Sequence, residues 1–106
     1  MSAYAVAVTL RPKPDSRAQF RDAIVENARA SRTTEPGCRQ FDVCESADGS
    51  EVFLYEIYDD EAAFRAHLAT DHFKAFDAVA EAWLVSKRIV TYRRIDDDGV
   101  ELGHDE

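Results

Sequence analysis

Residues 38–58 read CRQFDVCESADGSEVFLYEIY, two apolar runs on either side of Ala47-Asp48-Gly49-Ser50. An Asp-Gly pair between such runs is a strong hairpin signal, because glycine accepts the positive φ that a tight turn demands. The segment predicts two antiparallel strands, over 38–46 and 51–58. The second carries Val52, Leu54 and Tyr58 at one parity and Phe53, Tyr55 and Ile57 at the other. Successive side chains of a strand point to opposite faces, so the sheet that holds this strand needs cover on both sides.

Outward from the hairpin, residues 3–10 predict a strand with Tyr4, Val6, Val8 and Leu10 on one face, ended by Pro12 and Pro14. Asp15 or Ser16 can cap the next segment, residues 16–32. There Phe20, Ala23, Ile24, Ala28 and Ser31 recur at helical steps, with Arg17, Arg21, Asp22, Glu26 and Arg29 at the wetter positions. Thr33-Thr34-Glu35-Pro36-Gly37 reads as a turn. After the hairpin, Asp59 or Asp60 caps a helix over about 61–69, a second helical piece runs over about 71–83, and residues 85–94 form a last strand. The order β-α-β-β-α-β, with the second helix broken in two, predicts an α+β, ferredoxin-like sandwich: one antiparallel sheet with helices on one face. The bare face of that sheet calls for a second copy of the chain, so a homodimer packed sheet to sheet is expected.

A chain of 106 residues makes one domain. We divide it into a folded domain over 1–95 and an acidic tail over 96–106, where Asp96, Asp97, Asp98, Glu101, Asp105 and Glu106 crowd together. The net charge of −8, from 13 basic and 21 acidic residues, repels phosphate backbones and anionic lipid surfaces, so neither nucleic acid nor a membrane is expected as a partner. No apolar run is long enough to span a bilayer and no leader pattern precedes residue 3, which points to the cytoplasm. Cys38 and Cys44, on one strand, lie about 20 Å apart at roughly 3.4 Å per residue, beyond disulfide reach. Two free thiols suit a reducing compartment and read as small buried hydrophobes.

Polar groups at inward positions carry the functional signal, since burial without a partner is costly. Asn27 continues the stripe of Phe20 and Ile24. Glu56 shares the parity of Val52 and Leu54, with Arg88 or Arg93 as a possible partner. His67 follows Phe64 by three, and His72 opens the next helical piece. Asn27, Glu56 and His67 are expected to converge between sheet and helices, ringed by Phe41, Tyr55 or Tyr58, Phe64, Phe76 and Trp83. That is an apolar pocket with a few convergent polar groups, the general form of a small-molecule site. His67, His72 and Glu56 are competent metal ligands, but the His-x4-His spacing spans a helix break and no further ligand completes a familiar set, so no metal is expected. The chain has no Gly-rich phosphate loop, dinucleotide fingerprint or Gly-x-Ser-x-Gly elbow, and no organic cofactor is expected.

Asn27, Glu35-Pro36-Gly37-Cys38, Phe41-Asp42-Val43, Phe53-Leu54-Tyr55-Glu56-Ile57-Tyr58 and Ala62-Ala63-Phe64-Arg65-Ala66-His67-Leu68-Ala69-Thr70-Asp71-His72-Phe73 together closely resemble the antibiotic biosynthesis monooxygenase (ABM) domain pattern. Within it they look most like the branch of quinol monooxygenases and autoinducer-processing isomerases. The likeness covers residues 3–93. It implies a dimeric α+β barrel in which two ferredoxin-like protomers face each other through their sheets. It also implies oxidation of a quinol or polycyclic phenol by O₂ without metal or organic cofactor, or else proton transfer that rearranges a small hydroxyketone. His67 or Glu56 would be the base, Asn27 the oxyanion or peroxide partner, and His72 a second acid or an orienter. A phosphorylated hydroxyketone would need a cation, for which Arg39, Arg88 and Arg93 are the candidates. A small-ligand-binding dimer without turnover is the remaining expectation. Haem-degrading relatives place an Asn on the first strand and a Trp on the third; this chain has neither, and haem degradation is not expected.

Overall fold

The computed structural model describes residues 3–96. Strand β1 (Tyr4–Pro12) leads through a 3₁₀ turn at Pro14–Ser16 into helix α1 (Arg17–Thr34). The hairpin follows as β2 (Cys38–Glu45) and β3 (Val52–Tyr58), then helices α2 (Glu61–Leu68) and α3 (Asp71–Trp83), and finally β4 (Leu84–Arg93). The four strands form one antiparallel sheet in the order β2-β3-β1-β4. This is the α+β, ferredoxin-like arrangement. Most of the acidic tail, 97–106, lies outside the described residues. No helix among the described residues is long and apolar enough to cross a membrane.

Local chemistry explains the boundaries. Gly49 takes φ 75° in the hairpin turn, as the Asp-Gly pair requires. The Asp60 carboxylate accepts the Ala63 N–H at 2.8 Å and starts α2. The Thr70 hydroxyl accepts the Phe73 N–H at 3.1 Å to start α3, while it donates to the His67 carbonyl at 2.7 Å. One threonine thus ties the end of α2 to the start of α3. Neither Asp15 nor Ser16 caps α1: Ser16 stands at the cap position without a side-chain bond, and the 3₁₀ turn leads the chain in. The helix stops at Glu35 because a residue before proline is pushed out of helical geometry.

Register assigns the faces. Tyr4, Val6, Val8 and Leu10 pair with Tyr58, Glu56, Leu54 and Val52, and this row faces the helices. It meets Phe20, Ile24 and Ala28 of α1 and Ala80 of α3 in the main core. Ala5, Ala7 and Thr9 pair with Ile57, Tyr55 and Phe53 on one side and with Tyr92, Val90 and Arg88 on the other. No helix among the described residues lies over that outer row. Phe53 is 39% exposed and Tyr92 53%.

Candidate active site

Four polar residues are buried in the layer between sheet and helices: Asn27, Ser31, Glu56 and His67. Asn27 and Ser31 come from the inner stripe of α1, Glu56 from the centre of β3, and His67 from the last turn of α2. Asn27, Glu56 and His67 line a cavity of about 440 Å³, together with Phe41, Phe64, Phe73, Phe76 and aliphatic side chains of β1, α1 and β4. Asp77 and Glu81 of α3 and Lys87 of β4 also line it; Lys87 Nζ lies 3.6 Å from Asp77 Oδ1.

His67 is held by Glu35, which lies one step of four beyond Ser31, just past the end of α1. Glu35 Oε2 lies 2.8 Å from His67 Nδ1, and the Ser31 hydroxyl lies 3.4 Å from the same nitrogen. Ser31 donates its own hydrogen to the Asn27 carbonyl at 2.8 Å, so toward His67 it can only accept. Two acceptors around Nδ1 fix the hydrogen there and leave Nε2 with its lone pair. Nε2 has no hydrogen-bond partner among the described residues. Burial holds the imidazole below its ordinary value of 6.5, with Glu35 pulling the other way. The arrangement is a neutral imidazole with a fixed tautomer, braced by a carboxylate that stabilises the imidazolium once a proton is taken. The C-terminal end of α2 favours the same charge.

Glu56 is flanked in register by Val6 and Phe41, and its Oε1 accepts the Tyr58 hydroxyl at 2.6 Å. Burial pushes its carboxyl up to about 7, against the pull of the Tyr58 bond. Near neutral pH Glu56 can therefore hold or release a proton. Its hydrogen-bond partner is the Tyr58 hydroxyl; of the two arginines expected from the sequence, Arg88 sits on the outer face opposite Thr9 and Arg93 lies opposite Tyr4 at the start of β1. The Asn27 Oδ1 atom is buried with no hydrogen-bond partner, a group left for a ligand to satisfy.

The remaining expected site residues lie elsewhere. His72 is not on the cavity wall; its Nε2 lies 2.5 Å from the same Glu35 oxygen that holds His67. Tyr55 points to the outer face and packs with Ala3, Ala5 and Ile57. Tyr58 stands behind the wall, against the rings of Phe64 and His67. Trp83 packs on the core at the end of α3. Of the expected cations, Arg39 pairs with Asp59 at the surface at 2.7 Å and Arg88 lies on the outer face; the lysine on the wall, Lys87, was not among them. Cys38 is buried and its thiol is pushed up to about 11 by burial, then by Glu35 and Glu56, so it stays protonated and inert; Cys44 is exposed and free. A metal-competent set exists, but not the expected one: Glu35, not Glu56, joins His67 and His72, with donor atoms within 4.8 Å of one another.

The family model of antibiotic biosynthesis monooxygenases matches residues 3–79. The chain belongs to the antibiotic biosynthesis monooxygenase family. Among ABM relatives, it is 38% identical over 80 residues to "Putative monooxygenase Rv0793" of Mycobacterium tuberculosis, covering 73% of this chain and 75% of that protein. The solved structure of Rv0793 superposes with a TM-score of 0.84 at 30% identity, over 92% of this chain and 99% of that one. PA3566 from Pseudomonas aeruginosa superposes with a TM-score of 0.83 at 25% identity, over 90% and 96%. The matched ABM segment contains Asn27, Glu35, Glu56, His67 and His72.

Proposed function

We propose that this ABM protein is a monooxygenase that uses O₂ on a quinol or polycyclic phenol without a metal or organic cofactor. The observation that carries the reading is the Glu35–His67 pair: it presents a bare imidazole nitrogen to an apolar cavity large enough for a fused aromatic ring system. His67 Nε2 takes the proton of the substrate hydroxyl. The anion gives one electron to O₂, and the two radicals combine as a peroxide. The Asn27 side-chain N–H donates to the developing oxygen charge, and its Oδ1 accepts from a hydroxyl of the bound molecule. As the O–O bond breaks, protonated Glu56 gives one proton to the leaving oxygen and the C–H bond of the carbon that bears the peroxide breaks to supply the other hydrogen. This leaves a carbonyl in the product and the second oxygen atom as water; the proton held by His67 then restores Glu56. The base is itself buried, and the charge it takes on is stabilised chiefly by Glu35.

Dimerisation belongs to the same proposal. The outer sheet row exposes Phe53 and Tyr92 with no helix of the described residues over them, and a second copy is the simplest partner for a self-complementary face.

The test is oxygen uptake by metal-stripped protein with hydroquinones, naphthols and anthrones, beside His67→Ala and Asn27→Ala. Uptake that follows protein concentration and falls at least about tenfold in either variant supports the reading. No uptake above the autoxidation blank sinks it. The second reading, isomerisation of a small hydroxyketone by proton transfer, is favoured by one observation: two proton-exchanging groups, His67 and Glu56, share the cavity with a cation, Lys87.

A further inference from the structure

His72 has no place on the cavity wall, yet it is bound to the carboxylate oxygen that sets the tautomer of His67. We infer that Glu35, His67 and His72 form a binding site for a zinc-class divalent cation, and that the cation switches off the base facing the cavity. The inference rests on the reading that His67 Nε2 is that base.

The three residues come from three elements, the end of α1, the last turn of α2 and the first turn of α3. Glu35 Oε2, His67 Nδ1 and His72 Nε2 all lie within 4.8 Å of one another. Two imidazoles and one carboxylate are a donor set suited to zinc, with the fourth position left to water. Adjacent ligands around a tetrahedral zinc stand about 3.3 Å apart, from bond lengths near 2.0 Å. Glu35 Oε2 lies 2.8 and 2.5 Å from the two nitrogens, so each of these pairs must open by less than about 1 Å, while the two nitrogens, within 4.8 Å of each other, settle to the same spacing around the ion. His67 is 3% exposed at its side chain, Glu35 10% and His72 22%, which puts the open position on the His72 side. The His67 ring then stands between ion and cavity, so the ion cannot serve as a Lewis acid for a substrate there.

The consequence for His67 follows from bond counting. A neutral imidazole has one lone pair and one N–H. If Nδ1 gives its lone pair to the ion, the hydrogen must sit on Nε2. The nitrogen facing the cavity then donates and cannot accept. His72 likewise shifts its hydrogen from Nε2 to Nδ1, and no net proton need leave. The ion makes two coordinate bonds to nitrogen and one to oxygen, displacing the two hydrogen bonds to Glu35.

The test is titration of metal-stripped full chain with zinc against a chromogenic chelator, beside His72→Ala and His72→Gln, with ¹⁵N NMR of the imidazoles. One zinc per chain is expected. Affinity should fall in both variants by at least roughly the ten- to hundredfold that even an outer partner of a metal site contributes. His67 should pass from the Nδ1–H to the Nε2–H form as zinc is added. Gln keeps a donor for Glu35 and guards against simple misfolding. No zinc binding at micromolar concentration overturns the site. Binding that survives both variants does so too, and assigns the ion elsewhere, His104 being the third histidine of the chain. Binding without the tautomer change overturns the switch. In the oxygen assay zinc should suppress uptake in step with its binding. Absence of uptake in the zinc-free protein would count against the monooxygenase reading alone, because binding and tautomer are read without substrate.

Discussion

The Tyr58 hydroxyl donates to Glu56 Oε1 across 2.6 Å inside the core, and it works against the burial that pushes the Glu56 carboxyl from 4.5 to about 7. Between those values the folded chain keeps a proton that the unfolded chain has released. Stability from this group is therefore greatest below about pH 4.5 and falls as pH rises to about 7. Glu56→Gln keeps an acceptor for Tyr58 and removes the charge. The variant should gain on the parent between pH 5 and pH 8, by a few kcal/mol at most (about 3). Urea unfolding at the two pH values checks it, and a gap that stays constant refutes the buried charge.

Tyr58→Phe is the complementary change. It strips Glu56 Oε1 of its donor, so it should destabilise the fold by about 1–3 kcal/mol. The loss should be larger at pH 8, where Glu56 is charged, than at pH 5. Equal losses at both would mean that the ring contacts of Tyr58, not its hydroxyl, do the work.

The pH profile of kcat/KM separates the two candidate bases. The ionisable groups facing His67 are Glu35 and His72, and those facing Glu56 are Tyr58 and, at longer range, Glu35. With His67 as base and Glu56 as acid, the rate should rise with a midpoint below 6.5 and fall with one near 7. Glu56→Gln should abolish the falling limb and leave the rising one. A rising limb centred near 7 that vanishes in Glu56→Gln would reverse the two roles.

A Cβ added at Gly37 would stand 2.6 Å from the Ala63 Cβ, which nothing in a packed interior tolerates. Gly37→Ala should cost about 1–3 kcal/mol and push α2, with His67, away from the cavity. Adding Ala63→Gly should recover most of that stability and the activity. If the double variant is no better than the single one, the close approach is not the cause.

The outer sheet face gives a further test. Phe53→Glu with Tyr92→Glu places charge on an apolar surface that touches no helix, so the monomer fold should survive in circular dichroism. The parent should be a dimer by light scattering at micromolar concentration and the variant a monomer. A monomeric parent removes the sheet-to-sheet pairing.

Much of this was legible in the residues. The Asp-Gly turn, the Pro36 stop and the Asp60 cap are local chemistry, and each element emerged within a residue or two of its place. Asn27, Glu56 and His67 were legible because each broke an apolar pattern of known period. Glu35 was not, although one more step of four along Phe20, Ile24, Ala28 and Ser31 reaches it: the Pro-Gly punctuation marks the segment as a turn and ends the periodic argument. Between Tyr55 and Tyr58, parity already favoured Tyr58: Tyr55 stands next to Glu56 in β3, where successive side chains alternate, and its pairing with Ala7 puts it in the row away from the helices. Trp83 depends on packing between elements, which spacing within one element does not reveal, whereas the partner of Glu56 is Tyr58, two residues on at the same parity of β3.

The strand order has a cost in time. β1 is made first, but its second edge is filled only by β4, the last strand described. A ribosome extending the chain exposes that edge throughout synthesis of the hairpin and all three helices. An unpaired edge with apolar faces is a template for another strand. The nascent chain therefore passes through a stage at which mispairing competes with completion, and slowing of translation before residue 84 should increase aggregation more than slowing after it.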